Sequence, residues 1–180
     1  MKVLAISGSA RRASTNTALL HGLAACAPDG VRVEVWAGVA GLPVFNPDEE
    51  GDRTPVPVRE FAAQVAAADA IVVSCPEYVH ALPGGFKNAI DWLVSREEII
   101  GKPVALLHAS HRGEDVLADL RRVLATVTEH FWTDVFLTVP VLRKTPEEIG
   151  AMCRAPEQAA ALAEFLTSLQ RRVASAAVAD

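Results

Sequence analysis

Cysteine is scarce in this chain and never paired. Cys26, Cys75 and Cys153 are its three cysteines, and no two stand at CxxC spacing. That excludes a zinc ribbon and a thioredoxin-type centre. An odd count without a secretory leader points to reduced thiols in a cytoplasmic protein. Met1-Lys2-Val3 runs straight into a strand pattern, so no signal peptide is expected. Cys75 follows Ile71-Val72-Val73-Ser74 and reads as a small hydrophobe at a strand end. No apolar run is long enough to cross a bilayer, so no membrane association is expected. Positive charge is not in excess: 17 Lys and Arg stand against 22 Asp and Glu, a net charge of -5. That argues against sequence-independent nucleic-acid binding. His21, His80, His108, His111 and His130 share no ligand spacing, so no metal site is expected. Composition breaks, linkers, repeats and low-complexity tracts are all absent. Residues 1–180 are therefore expected to form one domain with a sizeable core.

Glycine is sparse where the common phosphate loops need it. Only Gly8 follows the first apolar run, Val3-Leu4-Ala5-Ile6. A Walker loop requires Gly-Lys-Ser/Thr at a set distance, and a dinucleotide fingerprint requires three glycines. Both are excluded. What stands there is Ser7-Gly8-Ser9-Ala10-Arg11-Arg12-Ala13-Ser14-Thr15-Asn16, followed by a helical pattern over residues 17–27. The first amides of a helix lack intrahelical partners and carry the positive end of its dipole. A strand, a hydroxyl-rich turn and a helix start thus make a phosphate site. Ser7, Ser9, Ser14, Thr15 and Asn16 add side-chain donors, and Arg11 or Arg12 adds a full charge. Ser14 or Asn16 also has the chemistry of a plain helix cap.

Strand and helix patterns alternate from there on. Strands are predicted at residues 2–7, 31–36, 70–74, 104–108 and 135–139. Helices are predicted at 57–68, 84–94, 115–130 and 157–173, with a loop over 41–54 and a frayed end over 174–180. Near-continuous apolar strands between helices argue a parallel sheet covered on both faces. Ligands of such open sheets sit beside the carboxyl ends of the strands.

The third strand ends in Ser74-Cys75-Pro76-Glu77-Tyr78. After Val79-His80-Ala81-Leu82 comes Pro83-Gly84-Gly85-Phe86-Lys87-Asn88-Ala89-Ile90-Asp91-Trp92. With Gly-Ser-x-Arg-x-x-Ser-x-Asn near the start, these motifs resemble the NADPH-dependent FMN reductase family. That is the flavodoxin-like group with quinone, azo-dye and chromate reductases. The resemblance covers nearly the whole chain. It implies a doubly wound five-stranded parallel sheet of order 2-1-3-4-5. It also implies noncovalent FMN as cofactor and NADPH or NADH as co-substrate. A small-molecule electron acceptor and a homodimer or dimer of dimers complete the picture.

By position in this chain, the resemblance assigns Ser9, Arg11, Ser14 and Asn16 to the FMN phosphate, with Thr15 between them. Pro76, Glu77 and Tyr78 match the loop under the ribityl chain and ring, with backbone amides facing the pyrimidine edge. Ser110 and Gly113 would approach the flavin, and Arg112 would set positive charge near its N1 and O2 edge. Tyr78, His80 and Arg112 would shape the substrate pocket. Lys87, Asn88, Asp91 and Trp92 match a helix that supports this loop. Lys87 and Asp91 also read as an ordinary surface pair, and Trp92 as core.

Two departures stand out. Many relatives carry Asn after Pro-Glu-Tyr and Ser two residues later, where this chain has Val79 and Ala81. The loop His108-Ala109-Ser110-His111-Arg112-Gly113-Glu114 lacks the usual run of Ser and Gly. The implied chemistry is hydride transfer through FMN to a quinone, azo compound, metal oxyanion or free flavin, with no catalytic side chain required. A flavodoxin-type electron carrier and a flavin-free scaffold remain alternatives at this stage.

Overall fold

The structure is a computed structural model, and it describes residues 1–110 and 113–176. His111, Arg112 and residues 177–180, on which two of the expectations above fall, lie outside it. Five strands form one parallel sheet: β1 Lys2–Ser7, β2 Arg32–Trp36, β3 Ala70–Ser74, β4 Val104–His108 and β5 Phe131–Thr138. Their order is β2-β1-β3-β4-β5, as expected. Among the described residues six α-helices connect and flank them: α1 Thr15–Ala25, α2 Val56–Ala67, α3 Gly84–Asp91, α4 Glu114–Leu124, α5 Pro146–Cys153 and α6 Pro156–Ala176.

The three central strands, β1, β3 and β4, are apolar on both faces because both faces are covered. Side chains along a strand alternate between faces. Val3 and Ala5 of β1, Val72 of β3 and Leu107 of β4 pack with Leu19 and Leu23 of α1, Ile149 of α5 and Leu166 of α6. Leu4 and Ile6, Val73 and Leu106 pack on the opposite side with Phe61 of α2, Phe86 and Ile90 of α3 and Leu120 of α4. Deleting one such fully buried Leu or Ile side chain costs about 2–5 kcal/mol.

The structure corrects several boundaries. Helix α1 starts two residues earlier than expected, at Thr15, because Ser14 caps it: the Ser14 hydroxyl accepts from the Thr17 amide at 3.2 Å. Residues 41–54 are not plain loop but hold single 3-10 turns, Pro47–Glu49 among them. Helix α4 stops at Leu124 rather than 130, and the Thr128 hydroxyl then donates to the carbonyls of Ile100 and Lys102. Strand β5 starts at Phe131, four residues early, and its register against β4 shifts between Val104 and Leu106. Helix α6 continues through Ala176, past the expected fraying point at 174. Helix α5 was not anticipated at all. Its start is a capping box: Glu148 N donates to the Thr145 hydroxyl, Thr145 N donates to the Glu148 carboxylate, and Pro146 opens the first turn.

Candidate functional site

Four loops meet at the carboxyl edge of the sheet: residues 8–14 after β1, 75–83 after β3, the described residues 109, 110 and 113 after β4, and 139–145 after β5. The first is built from short local bonds. Ser7 and Thr17 hydroxyls lie 2.8 Å apart, the Ser9 amide donates to Ser7 Oγ at 3.4 Å, and the Arg11 amide donates to Ser9 Oγ at 3.3 Å. The Ser74 hydroxyl of β3 donates to Asn16 Oδ1 at 2.9 Å. Ser9, Ser14 and Asn16 are all buried. In these bonds the side chains of Ser9, Ser14 and Asn16 act as acceptors, which shapes the turn and leaves their hydroxyl protons and Asn16 Nδ2 as donors. They stand beside the first α1 amides, those of Thr15 and Asn16. No acidic residue stands in the first turn of α1, so its positive end is uncompensated. A phosphate monoester fits that donor set.

Loop 75–83 is more constrained. Cys75 is buried, which pushes its thiol pKa well up. That suits packing and not nucleophilic chemistry. The Glu77 carboxylate accepts from the Val116 amide at 3.1 Å. It therefore caps α4, which has no capping side chain of its own at Gly113. Glu77 is neither a solvated loop acid nor free to turn its carboxylate elsewhere while that bond holds. Tyr78 and Ala81 exchange backbone bonds of 3.0 and 3.1 Å across a two-residue turn, and Val79 and His80 both have positive φ, 54° and 57°. His80 Nδ1 lies 2.6 Å from Asp115 Oδ2 on α4. The hydrogen bond and the charge of Asp115, with Glu77 nearby, raise the His80 pKa.

One cavity of about 260 Å³ collects much of the predicted site. Thr15, Asn16, Cys75, Pro76, Glu77, Ser110 and Gly113 line it. Gly113 adopts φ 96°, and a Cβ there would stand 3.2 Å from both His108 and Val116. The cavity does not include Ser9, Arg11, Ser14, Tyr78 or His80. Arg12 and Ser14 instead line a second cavity of about 390 Å³ between α1 and α5. Tyr78 is half exposed and His80 exposed, on the turn beside the first cavity. Arg112 lies outside the described residues. Asn88 and Trp92 hold the chain after β2: Asn88 Nδ2 and Trp92 Nε1 both donate to the Pro43 carbonyl at 2.8 Å, and the Phe45 amide donates to Asn88 Oδ1. Lys87 and Asp91 form the expected surface pair.

Sequence reasoning missed one wall of the cavity, formed by Val141, Leu142 and Arg143. The signal that would have found it is Thr145-Pro146-Glu147-Glu148. A helix start there forces residues 140–144 to turn back over the sheet edge.

This sheet, with a phosphate-compatible turn after its first strand, is a flavodoxin-like architecture. Residues 1–139 match the NADPH-dependent FMN reductase family, and the chain belongs to it. An NAD(P)H-dependent FMN reductase of Pseudomonas aeruginosa is 41% identical over 112 residues, 61% of this chain and 60% of that protein. A quinone reductase of Escherichia coli K12 is 32% identical over 158 residues, covering 84% of this chain and 78% of that protein. Among solved structures, FerB of Paracoccus denitrificans, a flavoenzyme NAD(P)H:(acceptor) oxidoreductase, superposes with a TM-score of 0.70. It covers 94% of this chain and 97% of that one at 22% identity, a likeness of fold.

Proposed function

We propose that this protein, as one flavodoxin-like domain over residues 1–180, binds FMN at the carboxyl edge of the sheet. We propose that it passes hydride from NADPH or NADH to a quinone-class acceptor. The observation that carries the reading is the uncompensated start of α1 opening into the same cavity as residues 75–77, 110 and 113. Bound FMN supplies the hydride-carrying ring. The Thr15 and Asn16 amides hold the phosphate, in a turn shaped by Ser9 and Ser14, with Arg11 adding long-range charge. The backbone of Pro76, Glu77 and Tyr78 faces the ring edge, and Ser110 and Gly113 close the opposite side. Tyr78 positions the nicotinamide or acceptor, and His80 tunes acceptor choice from the rim. The protein acts in the cytoplasm as a homodimer or dimer of dimers. The exposed Tyr78, Val79 and Leu142 beside the cavity suit cover by a partner.

The purified protein is incubated with FMN, desalted and assayed for flavin content, then for NADPH and NADH oxidation with 1,4-benzoquinone. Retained FMN with quinone-dependent oxidation is expected. No FMN uptake, or FMN uptake without nicotinamide oxidation, overturns the reading, the latter in favour of an electron carrier. Light scattering that shows an active monomer overturns the assembly.

A further inference from the structure

Resting on that reading of the cavity as an FMN site, we propose that Arg143 is the cation that faces the FMN phosphate. A phosphate monoester at neutral pH carries more than one negative charge, and the neutral donors of the turn and the helix start answer only part of it. A guanidinium beside them is the usual complement, because its fork matches two phosphate oxygens. The family motif points to Arg11, with Arg12 beside it. All three arginines are exposed, but neither Arg11 nor Arg12 lines the cavity that holds Thr15 and Asn16, and Arg12 lines the other cavity with Ser14 and His21. Arg143 does line it, as the only Arg or Lys among its described lining residues, and makes no ion pair among the described residues.

The backbone supports the same assignment. Arg143 has φ 61°, a conformation that side chains other than glycine rarely hold. It is fixed on both sides. Val141 is buried in the core, the Lys144 amide donates to the Val141 carbonyl at 3.1 Å, and Thr145 begins the capping box of α5. The turn thus presents Arg143 at the rim by construction. Glu77 also lines the cavity, with its carboxylate held by the Val116 amide at the start of α4. The FMN phosphate therefore belongs at the Thr15 and Arg143 part of the cavity. Arg143 lies in the C-terminal segment, beyond residue 139 where the family match ends.

The test compares FMN with riboflavin, which lacks the phosphate, by fluorescence titration of the flavin-free protein. Arg143→Ala should weaken FMN about ten- to hundredfold, the worth of a hydrogen bond to a charged group, and leave riboflavin unchanged. Arg143→Lys should recover part of the loss. Arg143→Gly, which suits the positive φ, should lose FMN affinity as Arg143→Ala does while keeping the melting temperature. Equal loss for both flavins, or no loss for FMN, overturns the assignment while the FMN reading stands. Failure of the unmodified protein to bind FMN overturns both.

Discussion

A Cβ added to Gly8 would stand 2.4 Å from Cys75 Sγ and 3.1 Å from Cys75 Cβ. The loop after β1 and the loop after β3 thus touch with no room for a methyl group, and the Gly8 amide donates to the Ser74 carbonyl at 2.9 Å in the same place. Gly8 is required here for close approach, since its φ is not positive. The contact seats the Thr15 and Asn16 amides beside Cys75 and Pro76 in one cavity.

Gly8→Ala should destabilise the protein by about 1–3 kcal/mol, the usual cost of overpacking. Urea denaturation measures it. Cys75→Ala in the same chain removes the 2.4 Å conflict and leaves the 3.1 Å one, so the double variant should recover part of the loss. A Gly8→Ala protein as stable as the parent shows that the loops are not held this closely.

Glu77 and Val116 are 39 residues apart, and their bond makes one loop the cap of another loop's helix. Glu77→Ala should cost about 1 kcal/mol, as loss of an N-cap does. Hydrogen exchange should show the Val116 amide losing protection, while Glu77→Gln keeps most of it. Unchanged exchange at Val116 in Glu77→Ala contradicts the cap.

That partnership marks where the sequence stopped being legible. Strands β1, β3 and β4 were plain, because each is a short apolar run whose residues feed two cores. The hydroxyl-rich turn was plain as an anion site, yet the oxygens of Ser9 and Ser14 are engaged as acceptors from the turn's own amides. Which acceptors a turn consumes internally depends on contacts such as Ser74 to Asn16, across two strands. The first half of β5 was missed because Phe131-Trp132-Thr133-Asp134 lies on the edge strand where the register shifts, so no clean alternation shows. Val127 continued the apolar stripe of α4 past its true end. Helix α5 was legible and overlooked: Thr145-Pro146-Glu147-Glu148 carries a complete start signal.

His80 and Asp115 make the site edge sensitive to pH. The His80 pKa is raised, chiefly by the hydrogen bond to Asp115 and by its charge, then by Glu77. A histidine whose folded pKa exceeds its unfolded one favours the folded turn fully below its ordinary value, about 6.5. That contribution fades as pH rises through the raised value. NMR titration of the His80 ring should therefore give a midpoint above the ordinary range, and Asp115→Asn should bring it down. An ordinary midpoint in the unmodified protein means the pair does not form in solution.

The turn at Val79 and His80 carries the last expectation. Both residues sit at positive φ between Tyr78 and Ala81, the pattern of a tight hairpin turn that favours Asn-Gly. Valine is among the worst residues for that conformation, because its two γ-carbons crowd the backbone. Its side chain gains nothing in return within this chain, being 95% exposed. Asn, which the family resemblance implies at this place, tolerates the left-handed region. The departure seen at Val79 is thus one of backbone cost as well as of lost polar contacts. Relief of such strain is worth on the order of 1 kcal/mol, toward the low end for one residue. For a chain of this size that amounts to a rise of about 2–4 °C in melting temperature for Val79→Asn. Val79→Gly should gain less, since glycine also loosens the unfolded chain. Thermal melts followed by circular dichroism check the order Asn above Gly above Val. A Val79→Asn protein that melts at or below the parent temperature shows that the turn is not strained at Val79, or that a partner surface rewards the exposed valine.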